Sequence, residues 1–537
     1  MTPEDWIAHD PDPVTAAELA RCDPAELTAR FARPLTFGTA GLRGPVRGGP
    51  DAMNLAVVLR ATWAVAEVLT GRGLGRSTVI VGRDARHGSA AFAVAAAEVL
   101  AAAGFSAILF PHPVPTPVLA FAVRHTRAAA GIQITASHNP PADNGYKVYL
   151  DGGIQIISPT DHEIETAMAA APFADQITRA HVESADVALV EHYIARAARA
   201  RRSSGPVRVA LTPLHGVGGE VAVETLRRAG FADVHTVASQ FRPDPDFPTV
   251  RFPNPEEPGA TDALLALAED VDAEIAIALD PDADRCAVGI PTPTGWRMLS
   301  GDETGWLLGD FILSRTESGE LATSVVASTV VSSRMLSAIA AHWGARHVET
   351  LTGFKWLARA DADVPGSTLI YAYEEAIGHC VDPAAVRDKD GISAAVLACD
   401  LVATLKLTRR SVLDALDDLA GRFGAHVGAA VSRAVADADE ATALMNRLRA
   451  SPPSRLAGFV STTTDLLQRR GVDRTDALIF TGGDADTAAR VVARPSGTEP
   501  KMKCYIEVRS AATEDLAGAR RRATALCDEL ASAVQHW

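Results

Sequence analysis

The chain has 537 residues, too many for one core; at roughly 150 residues per domain it is long enough for three or four. A formal net charge of −15 argues against a general nucleic-acid or acidic-membrane surface, so an anionic ligand must meet local clusters of Arg and Lys. The 6 cysteines are widely spaced and form no C-x-x-C pair, which suits a reducing compartment and gives no zinc site. The N-terminus is polar and acidic without an apolar leader, and no apolar run reaches the roughly 18 residues of a spanning helix. The expectation is a cytoplasmic enzyme with neither nucleic acid nor membrane as a partner.

Residues 1–35 read as a helical lead-in. Phe37-Gly38-Thr39-Ala40-Gly41-Leu42-Arg43-Gly44 follows, a glycine-rich loop with one arginine, where backbone can approach a ligand closely. Residues 54–70 have helical periodicity. A β-α-β unit comes next: strand 78–82, helix 89–103 closing at Gly104, strand 105–110. The pattern returns as strand 207–211, helix 219–229, Gly230 and strand 233–237. A third copy runs as strand 324–330, helix 332–343, Gly344 and strand 347–350. Three such copies predict three related α/β domains with mixed, mostly parallel sheets. Residues 241–258 are dense in Pro and Asp and predict an extended loop. After Gly391 the chain reads as helical through 420. The tail has an alternating strand, 503–508, and a final helix, 514–534, the mark of a smaller C-terminal α+β domain. Polar clusters near 199–206 and 313–321 suggest domains at 1–205, 206–315, 316–422 and 423–537.

Several short stretches carry chemistry. Thr135-Ala136-Ser137-His138-Asn139-Pro140 follows the mostly apolar run 128–134, which places Ser137 on a loop leaving a buried strand. A serine hydroxyl needs a base, a metal or a charge partner to react; alone, the stretch also reads as a plain turn. Asp280-Pro281-Asp282-Ala283-Asp284-Arg285 follows an apolar strand at 274–279, and carboxylates at i, i+2 and i+4 on a tight loop can converge on one hard cation. An EF-hand fails here, because Arg285 stands where its glycine belongs and Pro291 at the twelfth position. Mg²⁺ with open positions for a phosphate oxygen fits; the alternative is a solvated acidic turn, whose acids would repel one another.

Arg494-Pro495-Ser496-Gly497-Thr498-Glu499-Pro500, followed by Lys501 and Lys503, offers hydroxyls, amides and cations for a phosphate, or else a plain turn. No Walker loop occurs in the chain. Glu374-Glu375 after the apolar run 368–372 can accept bonds from sugar hydroxyls, and Thr352-Gly353-Phe354-Lys355-Trp356 is a further small loop. A serine-hydrolase elbow, G-x-S-x-G, is not present around Ser137.

With T-A-S-H-N-P, D-x-D-x-D-R and R-P-S-G-T-E-P in this order, nearly the whole chain resembles the α-D-phosphohexomutase superfamily of phosphoglucomutases and phosphomannomutases. Its sugar loop, Glu374-Glu375-Ala376-Ile377-Gly378, looks like that of the phosphopentomutase branch. The resemblance implies three similar domains and a distinct fourth around a central cleft. It implies a phosphorylated Ser137, with Mg²⁺ on Asp280, Asp282, Asp284 and the serine phosphate, and Arg285 beside the metal. It places Arg43 and Lys147 around the transferring phosphoryl group, counts His138, which follows the serine as in the family, among the catalytic residues, and puts Lys389 or His379 in phosphate or proton handling. It assigns Glu374, Thr352, Gly353 and Lys355 to the sugar, and Arg494, Ser496, Gly497, Thr498 and Lys503 to the non-reacting phosphate.

The expected function is a reversible phosphosugar mutase, a monomer or homodimer, interconverting glucose or mannose 1- and 6-phosphates through a sugar 1,6-bisphosphate. A phosphopentomutase is the alternative, and a non-catalytic phosphosugar-binding protein a more distant one. Members strict for glucose or mannose often carry Glu-x-Ser in the sugar loop; here Ala376 lacks that hydroxyl, which leaves the choice of sugar open.

Overall fold

Strands Ala130–Ile134 and Ile275–Leu279 are buried at every position. A strand with no solvent face needs cover on both sides of its sheet, which helices connecting parallel strands supply. The computed structural model meets that need twice in its first unit, Met1–Leu299 with Ala376–Thr404; the second unit is Ser300–Glu375 with Leu405–Trp537. Residues 1–38, 41–150, 152–184, 188–471, 474–496, 501–513 and 515–537 are described.

In the first unit the lead-in forms three short helices, Pro3–Ala8, Pro13–Leu19 and Pro24–Ala32. Each opens with a proline behind a capping Thr2, Asp12 or Asp23, because proline's fixed φ suits the first turn and its missing N–H costs nothing there. The first sheet has the order Leu42–Pro45, Asp143–Leu150, Ala130–Ile134, Thr78–Arg83, Ser106–Leu109. Its last three strands run parallel and its first two are antiparallel additions, giving the mixed sheet expected. Helices Leu55–Gly71 and Ser89–Ala102 fill the core beside it. Asn54 starts the former by accepting from Val57 N at 3.0 Å.

The second sheet repeats the plan: Gly295–Met298, Cys286–Thr292, Ile275–Leu279, Val209–Thr212, Val234–Thr236. It is antiparallel at the first end and parallel at the other. Residues 241–258 contain neither helix nor strand.

In the second unit, Ser324–Thr329 lies between Arg346–Thr350 and Thr368–Glu374, parallel to both. The connecting helix is Met335–Trp343, three residues shorter at its start than the pattern suggests. Ser332 and Ser333 are not helical because their hydroxyls serve elsewhere: Ser332 donates to Glu375 Oε2 at 3.0 Å, and Ser333 to Glu507 Oε1 at 2.5 Å. Helix Gly301–Leu313 also belongs here, so the boundary expected at 315 falls before this helix instead. Its glycines explain why. A Cβ at Gly305 would sit 2.5 Å from the Tyr373 ring, and one at Gly309 2.6 Å from Leu336 Cδ1, so the helix backbone rests directly on these neighbours.

The last sheet of this unit is antiparallel: Ala425–Ala434, Lys501–Ser510, Thr487–Pro495, Leu478–Gly483, Thr462–Asp465. Along Lys501–Ser510 the side chains alternate, with Met502, Cys504, Ile506 and Val508 entering the core. Helix Leu516–Val534 covers that core with Ala519, Ala523, Cys527, Leu530 and Val534, one stripe at helical spacing. Among the described residues no single helix is long and apolar enough to cross a membrane.

Candidate active site

The first unit brings Ser137 to the acid triplet. After strand Ala130–Ile134 the Thr135 hydroxyl accepts from Ser137 N at 2.9 Å, turning the chain at once. Ser137 adopts φ +52°, a left-handed conformation that a non-glycine residue takes only when its surroundings impose it. Its Oγ donates to Asp280 Oδ2 at 2.7 Å and lies 3.1 Å from His138 Nδ1. Lys147 comes from the adjacent strand, paired with Gln133, and Arg43 from the next strand out, paired with Gly145. Arg43 Nη1 donates to Asn139 Oδ1 at 3.2 Å.

The acid loop leaves strand Ile275–Leu279 and is held by main chain from three distant segments. Val217 N donates to Pro281 O at 2.8 Å, Thr116 N to Asp282 O at 2.9 Å, and Gly391 N to Ala283 O at 3.2 Å. The approach demands glycine: a Cβ at Gly216 would lie 2.3 Å from Pro281 Cα, and one at Gly391 2.3 Å from Arg285 O.

All three carboxylates are buried, and one oxygen from each lies within 4.8 Å of the others. Lys147 Nζ is 2.7 Å from Asp282 Oδ2 and 2.9 Å from Asp284 Oδ2; Lys389 Nζ is 3.3 Å from Asp284 Oδ2. Arg285 N donates to Asp280 Oδ1 at 3.0 Å. Even so, Asp282 Oδ1 and Asp284 Oδ1 are buried without a hydrogen-bond partner. Converging anionic oxygens with spare lone pairs fit a hard divalent cation.

The electrostatics follow from burial and neighbours. Burial, reinforced by Asp282 and Asp284, raises the Asp280 pKa well above the carboxylate range. Burial also opposes ionisation of Asp284, but Lys147, Lys389 and Arg285 outweigh it and hold its pKa low. His138 is depressed well below its ordinary value by burial, then by Arg285 and Arg43. His379 lies fully buried in strand Gly378–Cys380, and burial lowers its pKa to about 3. Ala376 is half-buried just ahead of that strand.

Two supports of this cluster have no local signal in the sequence. Thr116 Oγ1 donates to Asp282 Oδ2 at 2.6 Å from 166 residues away. The acids flanking Lys389 are each tied to a tyrosine: Tyr149 and Gln155 donate to Asp388 Oδ2 at 2.7 Å, and Tyr193 to Asp390 Oδ1 at 2.7 Å. Only folding brings these partners together.

The second unit gathers another set. Arg494 stands opposite Lys503 in the last sheet, and Lys501, Lys503 and Tyr505 share the face opposite Met502, Cys504 and Ile506, where Tyr505 packs against a cluster that includes Val330, Val331 and Val492. Tyr505 hydrogen-bonds Arg494; burial raises its phenol pKa, with Glu375 and Glu374 adding to that. Glu374 ends strand Thr368–Glu374, and Glu375 accepts from Thr329 and Ser332 hydroxyls at 3.0 Å each. Thr352 is half-buried beside Gly353, whose φ of +110° opens the one-turn helix Phe354–Leu357 that carries Lys355. Ser496 N donates to Lys501 O at 2.8 Å, while Gly497 and Thr498 lie outside the described residues.

Comparison with known proteins places most of the chain. Four models described as phosphoglucomutase/phosphomannomutase match it in order: α/β/α domain I over residues 34–175, domain II over 189–293, domain III over 300–423 and the C-terminal domain over 461–521. A "Probable phosphomannomutase" of Haemophilus influenzae is 41% identical over 472 residues, covering 86% of this chain and 94% of that protein. The chain belongs to the phosphoglucomutase/phosphomannomutase family. The "Probable phosphoribomutase" of Schizosaccharomyces pombe is 33% identical over 555 residues, covering 95% of this chain and 94% of that one. The fold is shared with parafusin, a phosphoglucomutase of Paramecium, at a TM-score of 0.71 and 19% identity over 93% of this chain and 95% of that one. The four-domain α/β architecture is thus that of the phosphoglucomutase/phosphomannomutase family.

Proposed function

We propose that the protein is a phosphosugar mutase moving a phosphoryl group between the 1- and 6-hydroxyls of a hexose, through phosphorylated Ser137 and a sugar 1,6-bisphosphate. The observation that carries this reading is the 2.7 Å bond from Ser137 Oγ to Asp280 Oδ2, which joins the loop hydroxyl to the acid triplet. Asp280, Asp282 and Asp284 would hold Mg²⁺, which when bound neutralises charge on the phosphoryl oxygens.

The chain's own residues do the rest. In the first transfer the Ser137 Oγ–P bond breaks while a sugar O–P bond forms, and the proton of the attacking sugar hydroxyl ends on Ser137 Oγ. In the second, the sugar's other O–P bond breaks while Ser137 Oγ takes that phosphoryl group, and the serine's proton ends on the released sugar oxygen; Asp280 Oδ2 and His138 Nδ1 lie beside Oγ. Lys147, Lys389 and Arg43 supply fixed positive charge, the main need of a loose phosphoryl-transfer transition state. Arg494 and Lys503, facing each other across two strands, would grip the phosphate that is not reacting. Glu374 would accept from a sugar hydroxyl.

A pentose substrate is the second reading. It is supported by the likeness to a phosphoribomutase along nearly the whole chain and by Ala376, which offers no hydroxyl to a hexose. Assays with glucose, mannose, ribose and deoxyribose 1-phosphates, each with catalytic bisphosphate and Mg²⁺, separate the two. Isomerisation of hexose phosphates supports the first reading; activity confined to pentose phosphates replaces it with the second.

A further inference from the structure

We propose that Arg86 is a positioning residue for phosphoryl transfer, fixing the Ser137 loop by gathering three of its main-chain carbonyls, and that of Asp143 at the start of the next strand, onto one buried guanidinium. The proposal rests on the reading of Ser137 as the group that is phosphorylated. Arg86 Nη2 donates to Ser137 O at 2.7 Å and to Asn139 O at 2.5 Å. Its Nη1 donates to Pro140 O at 2.7 Å and to Asp143 O at 3.1 Å. The side chain is almost fully buried, and its Cζ lies 4.9 Å from the centroid of the Phe247 ring, contributed by the Pro- and Asp-rich segment 241–258.

The guanidinium is itself held in place. Asp84 Oδ1 accepts from Arg86 N at 2.9 Å and from Ser89 Oγ at 2.6 Å, and Asp84 Oδ2 lies 3.4 Å from Arg86 Nε. Asp84 directly follows strand Thr78–Arg83, and Asp84 N donates to Ile134 O at 2.9 Å at the end of the strand that leads to Ser137. Arg86 is thus referenced to the same sheet edge as the loop it holds.

The need for such a device follows from the loop itself. Residues 135–142 lie outside helix and strand; the carbonyls of Ala136, Pro140 and Ala142 accept from the amides of Asn139, Asp143 and Val46, those of Ser137 and Asn139 accept from Arg86, and Ser137 sits at φ +52°. A planar fork of donors can collect several carbonyls in one geometry, which a lysine ammonium on a flexible stem cannot reproduce. The arrangement also suits a loop that must carry a phosphoryl group. That group is doubly charged and repelled by carbonyl oxygens, and four of these are drawn onto a cation instead. None of the Arg86 bonds reaches Ser137 Oγ, so it acts through the backbone.

Full-length Arg86→Lys and Asp84→Asn proteins test this, with glucose 1-phosphate, glucose 1,6-bisphosphate and Mg²⁺ as probes. Thermal unfolding verifies folding, intact mass reads phosphorylation, and steady-state rates give kcat and KM separately. Arg86→Lys is expected to lower kcat on the order of 10²-fold while KM stays within about 2-fold, the mark of a displaced reacting group with substrate binding intact. Asp84→Asn, which keeps the side chain's shape, is expected to move kcat the same way by about 10-fold. A folded variant that melts earlier yet keeps wild-type kcat has lost only a structural brace, and this overturns the proposal. If Arg86→Lys does not fold, Asp84→Asn decides by the same split. A wild-type protein that never gains a phosphoryl group would overturn the Ser137 reading instead, a distinct result.

Discussion

Ser137 Oγ and Asp280 Oδ2 are 2.7 Å apart although 143 residues separate them in the chain. The hydroxyl of one loop is therefore registered against the acid group of another before any substrate arrives. Ser137→Ala removes the only bond that Ser137 Oγ makes to the triplet and adds nothing bulky. We expect phosphoprotein formation and turnover to vanish while the thermal midpoint stays close to that of the wild type. Intact mass after incubation with a sugar bisphosphate checks it; a variant that still gained one phosphoryl group and turned over would place the acceptor elsewhere.

Lys147 bridges Asp282 and Asp284 in a site where all three side chains are buried. Truncating one partner of a buried ion pair typically costs about 3–5 kcal/mol, because the other charge is left uncompensated. Lys147→Met should lose stability on that scale in chelator, with Mg²⁺ narrowing the gap to the wild type. Urea unfolding with and without metal measures both effects. Equal stability of the two proteins in chelator would mean that the lysine is not balancing the acids.

Acid stability should depend on Glu507 in the second unit. Burial works against its ionisation, but His426, Ser333 and Arg334 prevail and hold its pKa at about 2, below the ordinary 4.5. A depressed carboxylate stabilises the fold above its unfolded pKa, and the contribution fades as pH falls from about 4.5 towards about 2, amounting to roughly 3 kcal/mol. Glu507→Gln should remove much of the wild type's pH dependence in that window. Chemical unfolding at pH 5, 4 and 3 (about one unit apart) gives the comparison, and parallel curves for the two proteins would refute the assignment.

We expect substrate choice to turn on Ala376. A hydrogen bond left unmet by a buried sugar hydroxyl costs about 1–3 kcal/mol, so a loop lacking a hydroxyl should separate glucose from mannose phosphates poorly. Ala376→Ser should sharpen selectivity among hexoses. Native kcat/KM ratios for the two sugars differing by more than about 10³ would show that discrimination arises at other residues.

The parts of the fold readable in the sequence are those set by local chemistry. Prolines behind Thr2, Asp12 and Asp23 start helices wherever they occur. The alternation through Lys503-Cys504-Tyr505-Ile506 describes a strand with one buried face. The acids at 280, 282 and 284 follow a buried strand, as their spacing suggests. What could not be read depends on packing. Helix Met335–Trp343 starts late because Ser332 and Ser333 serve carboxylates distant in sequence. Helix Gly301–Leu313 changes units because its glycines fit Tyr373 and Leu336. Thr116, Tyr149 and Tyr193 reach their acids through tertiary contacts spanning 166, 239 and 197 residues. No window of local sequence contains such pairs.

The acid loop is moored by the amides of Thr116, Val217 and Gly391, each bonded to a loop carbonyl rather than to a side chain. Moorings of this kind take no side-chain atom from positions 281 and 283, but packing still limits what can stand there: Ala283 is fully buried at φ +55°, and a Cβ at Gly218 would lie 2.5 Å from its own Cβ. The same three N–H groups, drawn from separate stretches of chain, are shielded only while the loop is in place. Their deuterium uptake therefore records opening of the loop without any label or substrate, and an ion that seats among the acids should slow all three together.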